Sequence, residues 1–302
     1  MALILSEEQK LLKDSATEFL AMNAPVEQFR DLRDNNYKAF DESLWTKIVE
    51  MGWTALTIPE EFDGLEFGYV GLGQILEEMG KNLTKAPLFS SIVLGANALT
   101  YSKNQELKKE WLPQLMGGNK RVALALDEHT YFDPTAIATT AKSTSNGYSL
   151  SGKKTMIIDG ASADAFIVAA NTEEGEVALF MVAADSKGVT VTTDILLDAG
   201  TYATVVFDQV EVVASNRISG AGEGATLLNH ILNTASICLS AEMLGMITEA
   251  FGQTVTYLKE REQFGKRIGT YQALQHRAAI MFSEIELCKS IVIQALQALD
   301  SD

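Results

Sequence analysis

Between Gly224 and Leu258 the chain carries only two charged residues, Glu242 and Glu249. A helix this apolar has to be enclosed by neighbours on most sides, so the run dictates a helical packing unit around itself. The two glutamates, and the many Ser, Thr and Asn residues along the run, argue against a membrane span. A second helical run starts near residue 270 and continues to "QALQALDSD". Two helices cannot bury between them one that is apolar all round. The further partners have to come from amino-terminal helices, from another chain, or from residues beyond Asp302.

The amino-terminal part is helical too. "SEEQKLLKDSATEFL" opens with Ser6 as N-cap and Gln9 at the capping-box position. Leu11, Leu12, Ala16, Phe19 and Leu20 then recur at helical spacing. "DESLWTKIVEMGW" reads as an amphipathic helix closed near Gly52, "LTIPEEFDGLEFG" as a loop, and 70–79 as the next helix. A further helix pair ends where Pro113 and then Gly117-Gly118 mark a stop. From about residue 121 the period changes. "YSLSGKKTMII", "AFIVAAN", "VALFMVA", "GVTVTT" and "ATVVFDQVEVV" are short, rich in β-branched residues, and separated by turn residues. The expected organisation is α+β: an all-α region over 1–120, a β-domain over 121–215, and a carboxy-terminal helical region over 216–302.

At 302 residues the chain suffices for two or three domains. Its formal net charge of -16 excludes the broad cationic surface of a nucleic-acid binder. "MALILSEEQKLLKDS" lacks a basic segment followed by an apolar core, so the reading is a cytoplasmic protein without a signal peptide. Cys238 and Cys288 read as small buried hydrophobes, with no metal-ligand spacing around them. His129, His230 and His276 have no Cys or Asp at ligand spacing, and His276 reads as helix surface.

Against this acidic background, "YLKEREQFGKRIGTYQALQHRAA" gathers Lys259, Arg261, Lys266, Arg267 and Arg277 against Glu260 and Glu262. The segment runs from one helix through a break at Phe264-Gly265 into another. A guanidinium offers a rigid fork of donors suited to phosphate oxygens. A helix starting near Thr270 adds unpaired N–H groups and a positive dipole end. The alternative is an exposed basic turn paired with Glu260 and Glu262.

The chain resembles the acyl-CoA dehydrogenase family along essentially its whole length. "SLWTKIVEMGWTALTIPEEFDGLEFG", "EEMGKNLTKAPL", "WLPQLMGGNKRVALAL" and "YLKEREQFGKRIGTYQALQHRAAIM" carry the likeness. The resemblance implies an amino-terminal helical domain, a middle β-barrel or sandwich, and a carboxy-terminal helical bundle, incomplete here. It also implies FAD-dependent α,β-dehydrogenation of an acyl-CoA, by α-proton abstraction and hydride transfer to flavin. Electron-transfer flavoprotein is the implied acceptor, and self-association or a related dehydrogenase subunit the implied partner. By the same resemblance the cationic joint meets FAD held by a neighbouring subunit: Arg261 at the pyrophosphate, Phe264 packed by the dinucleotide, Gln272 hydrogen-bonding nearby.

Three departures from the family pattern matter. Where the family has a "TEP.AGSD"-like loop, this chain has "LDEHTYFDPTAI", with Asp127 or Glu128 in the place of the glutamate and Asp133 in that of the aspartate. For "G.K.WITNG" it has "GKKTMIIDG", with Met156 at the tryptophan and Ile158 at the threonine. Methionine can still pack a ring edge, whereas isoleucine makes no hydrogen bond. These two read either as flavin-lining or as strand core. The catalytic glutamate of the family corresponds either to Ala235, followed by Ser236 where an arginine often sits, or to a position beyond Asp302. Glu242 and Glu249 share a face of the apolar helix and read as facing polar partners or a subunit seam. "FDPTAIATTAK", "SAEMLG" and "LQHRAAIMF" are most similar to small subunits of two-subunit dehydrogenases of the pimeloyl-CoA type. In those, catalytic and flavin-binding residues can be unevenly divided. The functional expectation is therefore an acyl-CoA dehydrogenase, with a non-catalytic partner subunit as the alternative and a scaffold binding neither flavin nor CoA as a third.

Overall fold

The computed structural model describes residues 4–35, 37–196 and 200–301; Asp302 lies outside them. In chain order the helices are α1 (Glu7–Asn23), α2 (Val26–Asp34), α3 (Glu42–Glu50), α4 (Tyr69–Asn82), a π-helix (Phe89–Ala96) running into α5 (Asn97–Thr100), and α6 (Gln105–Met116). Strands β1 (Val122–Ala125), β2 (Thr140–Thr144), β3 (Gly147–Ile158), β4 (Ala165–Thr172), β5 (Val177–Ala183), β6 (Val189–Ile195) and β7 (Thr201–Val213) follow. Helix α7 (Gly224–Glu260), the short strands β8 (Glu262–Gln263) and β9 (Lys266–Arg267), and α8 (Gln272–Leu299) complete the order. Contacts divide the chain into a helical unit (1–29, 68–84 and 236–302) and a unit holding the sheet (30–67 and 85–235).

In the helical unit, α1 starts as its sequence dictates. Ser6 Oγ accepts from Gln9 N at 3.2 Å while Gln9 Oε1 accepts from Ser6 N at 2.9 Å, satisfying two orphan donors reciprocally. Helices α4 and α7 cross with their backbones in contact. A Cβ on Gly80 would lie 2.0 Å from the Glu242 carbonyl oxygen, and one on Gly245 1.8 Å from that of Glu77. Around this crossing α4 is buried from Tyr69 to Gly80, polar residues included. The buried Glu77 takes Lys13 Nζ at 2.7 Å and Glu78 takes Lys81 Nζ at 2.6 Å, which compensates their desolvation.

Enclosure of the apolar run is one-sided. Leu239, Met243 and Ile247 of α7, and Ile280, Phe282, Leu287 and Ile291 of α8, remain exposed. Amino-terminal helices thus supply part of the expected burial, and the rest of the apolar face stays open. Among the described residues α7 is the helix long and apolar enough to cross a membrane by length and composition. Its backbone contact with α4 is the packing of a core helix.

In the other unit, Asp41 caps α3 by accepting from Leu44 N at 3.0 Å, and Gly52 follows in the left-handed region at φ 73°. Pro113 does not end α6, as its sequence position suggests. The helix runs on to Met116 and stops at Gly117-Gly118, Gly118 having φ 66°. The sheet is mixed and seven-stranded, in the order β1-β4-β2-β3-β7-β6 with β5 also on β4. Strand β4 pairs in parallel with β1 and β2 and antiparallel with β5. Its near-continuous apolar sequence matches its burial, as expected for a central strand. Phe166, Phe180, Phe207 and Leu150 form the centre of this core.

Candidate functional site

The cationic joint folds into a hairpin. Glu262 pairs with Arg267 and Gln263 with Lys266. Phe264 and Gly265 form the two-residue turn at φ 56° and 78°, the left-handed pair that matches strand twist. Placed at the tip, Phe264 is 90% exposed, far more than a phenylalanine with an intramolecular role. Lys266 Nζ lies 4.3 Å from the Tyr271 ring centre. The carbonyl of Arg261 accepts from Ile268 N at 2.8 Å, so the backbone of Arg261 is fixed while its side chain remains exposed. Among the described residues no ion pair joins Arg261, Lys266 or Arg267 to a carboxylate, so pairing with Glu260 and Glu262 does not hold this turn. Gln272 is the exposed first residue of α8, and no side chain caps that helix. An unpaired guanidinium, an open helix N-terminus and an exposed aromatic tip occur within one short segment. That donor set suits a dinucleotide pyrophosphate.

The end of β3 offers different chemistry. Its pairing with β7 slips between Lys154 and Ile157, and Met156 in the gap has φ 55°. Met156 and Ile158 are 37% and 41% exposed, so neither belongs to the strand core. They form an apolar edge able to pack a flat ring, without a side-chain hydroxyl for it. The joint thus fits FAD by its donors, and the β3 edge fits by packing alone.

Behind that edge sits a buried ion pair. Lys154, fully buried, donates to Glu128 Oε1 at 2.7 Å and to the Leu126 carbonyl at 2.9 Å. Glu128 also accepts from the backbone N of Ala138 and Thr139 at 2.8 and 2.9 Å. Burial opposes its charge, yet the Lys154 and Thr139 hydrogen bonds hold the carboxyl below the usual range. Burial pushes the Lys154 amine down despite Glu128. Between the two sequence candidates, Glu128 is the carboxylate that ties loop 127–139 to β3. Asp127 takes another position: burial pushes its carboxyl up, and its backbone oxygen accepts from Thr155 N at 2.7 Å. Sequence reasoning missed Lys154. The alternation of "GKKTMII" could have found it, because Lys153 is exposed and Lys154 points inward.

At the proposed base position Ala235 is buried in α7 and has no ionisable group, while Ser236 is exposed. Glu242 is half-buried by the α4 crossing, and Glu249 is exposed and accepts from Gln253 Nε2 at 3.0 Å. Cys238 is buried, its thiol pushed up to about 12 by burial, whereas Cys288 is exposed rather than buried as expected. His276 is exposed, as its helix position suggests. His230 packs its ring 3.6 Å from that of Tyr101. Arg261, Phe264 and Gln272 fall in the helical unit, and Met156 and Ile158 in the sheet unit.

Three family models match in succession: acyl-CoA dehydrogenase N-terminal domain over 6–119, middle domain over 124–210, and C-terminal domain over 222–302. Acyl-CoA dehydrogenase FadE27 of Mycobacterium tuberculosis is 31% identical over 269 residues, covering 89% of this chain and 70% of that protein. The ChsE4-ChsE5 complex from the same organism superimposes with a TM-score of 0.90 at 28% identity, over 100% of this chain and 80% of the matched one. PigA with FAD and proline gives 0.89 at 26% identity, over 100% and 81%. The fold is that of an acyl-CoA oxidoreductase. This chain belongs to the acyl-CoA dehydrogenase family.

Proposed function

We propose that the chain is a subunit of an FAD-dependent acyl-CoA dehydrogenase acting on the Cα–Cβ bond of an acyl-CoA thioester. The observation that carries this reading is the hairpin tip, Phe264 90% exposed beside the unpaired Arg261. Its donors are arranged for a dinucleotide seated on a neighbouring chain. Arg261 holds pyrophosphate charge, Phe264 packs against the dinucleotide, and Gln272 adds a hydrogen bond. Met156 and Ile158 pack a ring and exclude water. When bound, FAD supplies the hydride acceptor. Ala235 cannot take the α-proton, so the base is carried elsewhere in the assembly. The open apolar face of α7 and α8 supports association, with a second copy or with a related dehydrogenase subunit. Support for the latter comes from the likeness to a two-protein ChsE4-ChsE5 complex. Electron-transfer flavoprotein as acceptor, a cytoplasmic location, and the division at residues 120 and 215 belong to the same proposal.

The test is the visible spectrum of the purified chain after incubation with FAD and removal of unbound flavin, alone and co-expressed with a related subunit. A flavin band in either preparation supports the reading, and two colourless preparations sink it. Arg261→Ala removes a charge-assisted contact worth roughly 1.5–3 kcal/mol, so FAD affinity should fall about tenfold to a hundredfold with unchanged thermal stability. Unchanged flavin content would reduce the joint to surface.

A further inference from the structure

The end of β3 is unusually contorted for a strand. Met156 and Asp159 both lie at φ 55°, a conformation non-glycine residues keep only where surroundings over-determine it. Part of the constraint is steric. Gly160 is buried, and a Cβ on it would meet Ile157 Cγ2 at 2.7 Å and Ala203 Cβ at 2.8 Å. The rest comes from across the unit, where the Ser90 hydroxyl donates to Asp159 Oδ2 at 2.7 Å. Ser90 is buried in the π-helix, a geometry that is rare and concentrated at functional sites. The neighbouring Ser91 accepts from Val122 N at 3.2 Å, so the same π-helical turn is also tied to β1.

We propose that Ser90 and Asp159 are a positioning pair whose hydrogen bond pins the left-handed end of β3 to the π-helix and so fixes where Met156 and Ile158 present their side chains to the flavin. This rests on the reading of that edge as flavin-facing. The need for such a device follows from the side chains themselves. Methionine has three rotatable bonds and a soft thioether, and isoleucine forms no hydrogen bond, so neither can orient itself on a ring. Backbone placement has to do it. The Ser90 hydroxyl has a second acceptor in the Pro87 carbonyl at 3.3 Å, longer than its bond to Asp159. Proton uptake by Asp159 would let Ser90 turn to Pro87 while the neutral carboxyl donates to Ser90 Oγ. Lys85 is the charged group that acts on Asp159.

The experiment is methyl NMR of the protein labelled at methionine, combined with amide hydrogen exchange, on Ser90→Ala, Asp159→Ala and Asp159→Asn. Ser90→Ala and Asp159→Ala should displace the Met156 methyl resonance and speed exchange over residues 157–160 about tenfold or more, since exchange reports local opening. Asp159→Asn keeps an acceptor for the Ser90 hydroxyl and should stay near wild type. An unmoved methyl in Ser90→Ala, or Asn as disruptive as Ala, overturns the pair. Should the variants not fold, the wild type still decides. Its amides over residues 157–160 should exchange about tenfold or more slowly than those of the exposed strand β6, and equal rates overturn the proposal. Failure of the flavin reading shows separately: Met156→Ala would leave the flavin spectrum of the assembly unchanged whatever Ser90→Ala does to the methyl.

Discussion

Asp300 caps a helix that begins far away in sequence. Its carboxylate accepts from Val70 N at 3.0 Å and from Tyr69 N, 231 residues distant, at the start of α4. The local N-cap, Gly68, has φ 97° and no side chain, and a Cβ there would lie 2.7 Å from Asp300 Oδ1. Glycine leaves room for a remote carboxylate to satisfy donors that Ser or Asp usually satisfies locally. Asp300→Ala should therefore cost about 0.5–2 kcal/mol in denaturant unfolding, the range for losing a cap. Gly68→Ser should not compensate, because its Cβ enters the carboxylate's space at a strained φ. Full recovery by that double variant would contradict the assignment.

Gly80→Ala tests the crossing of α4 and α7. On propensity alone, alanine in a helix gains about 1 kcal/mol over glycine. Here the added Cβ would meet the Glu242 carbonyl oxygen at 2.0 Å, and backbone cannot turn aside as a side chain can. Overpacking of this kind costs roughly 1–3 kcal/mol, so the substitution should destabilise despite its helix preference. A rise in melting temperature would mean the helices separate without penalty.

The buried pair of Lys154 and Glu128 predicts an asymmetry between single and double variants. Lys154→Met leaves Glu128 buried without its counter-charge, a loss of about 3–5 kcal/mol. Lys154→Met with Glu128→Leu removes both charges and should recover much of it. Equal stability of the single and double variants would mean that solvent already reaches Glu128.

Much of the fold was legible because local signals and tertiary contacts agree. Ser6 and Gln9 form the capping box their spacing encodes, and the five sequence-read strands appear as β3 to β7. Each depends on neighbours a few residues away. What could not be read depends on distant partners. The cap from Asp300, the glycine pair at the α4–α7 crossing and the pairing of Lys154 with Glu128 each join residues far apart in sequence. The π-helix leaves no periodicity distinct from an apolar α-helix. The joint of Arg261 and Phe264 was legible as a cationic break, because its hairpin closes within a few residues. The exposure of Met156 and Ile158 was not, since a slip in register turns strand side chains to the other face.

Asp159 makes a stability prediction with a definite sign. Burial raises its carboxyl from 3.8 to about 6, while Ser90 and Lys85 pull it back. A raised folded value means the folded protein holds the proton more tightly than the unfolded chain. The stability this contributes is fully present below about pH 4 and is lost as pH rises through 6. Two units correspond to roughly 3 kcal/mol, an upper figure for a half-buried group. Asp159→Asn carries no such proton and keeps an acceptor for Ser90. The unfolding free energy of wild type minus that of Asp159→Asn should therefore fall between pH 4 and pH 8, most steeply at about pH 5, between the unfolded and folded values, and level off above pH 6. Guanidinium titrations of both proteins across that range measure it. A difference that rises with pH would mean that Asp159 is stabilised as the carboxylate, with Ser90 and Lys85 outweighing the cost of burial.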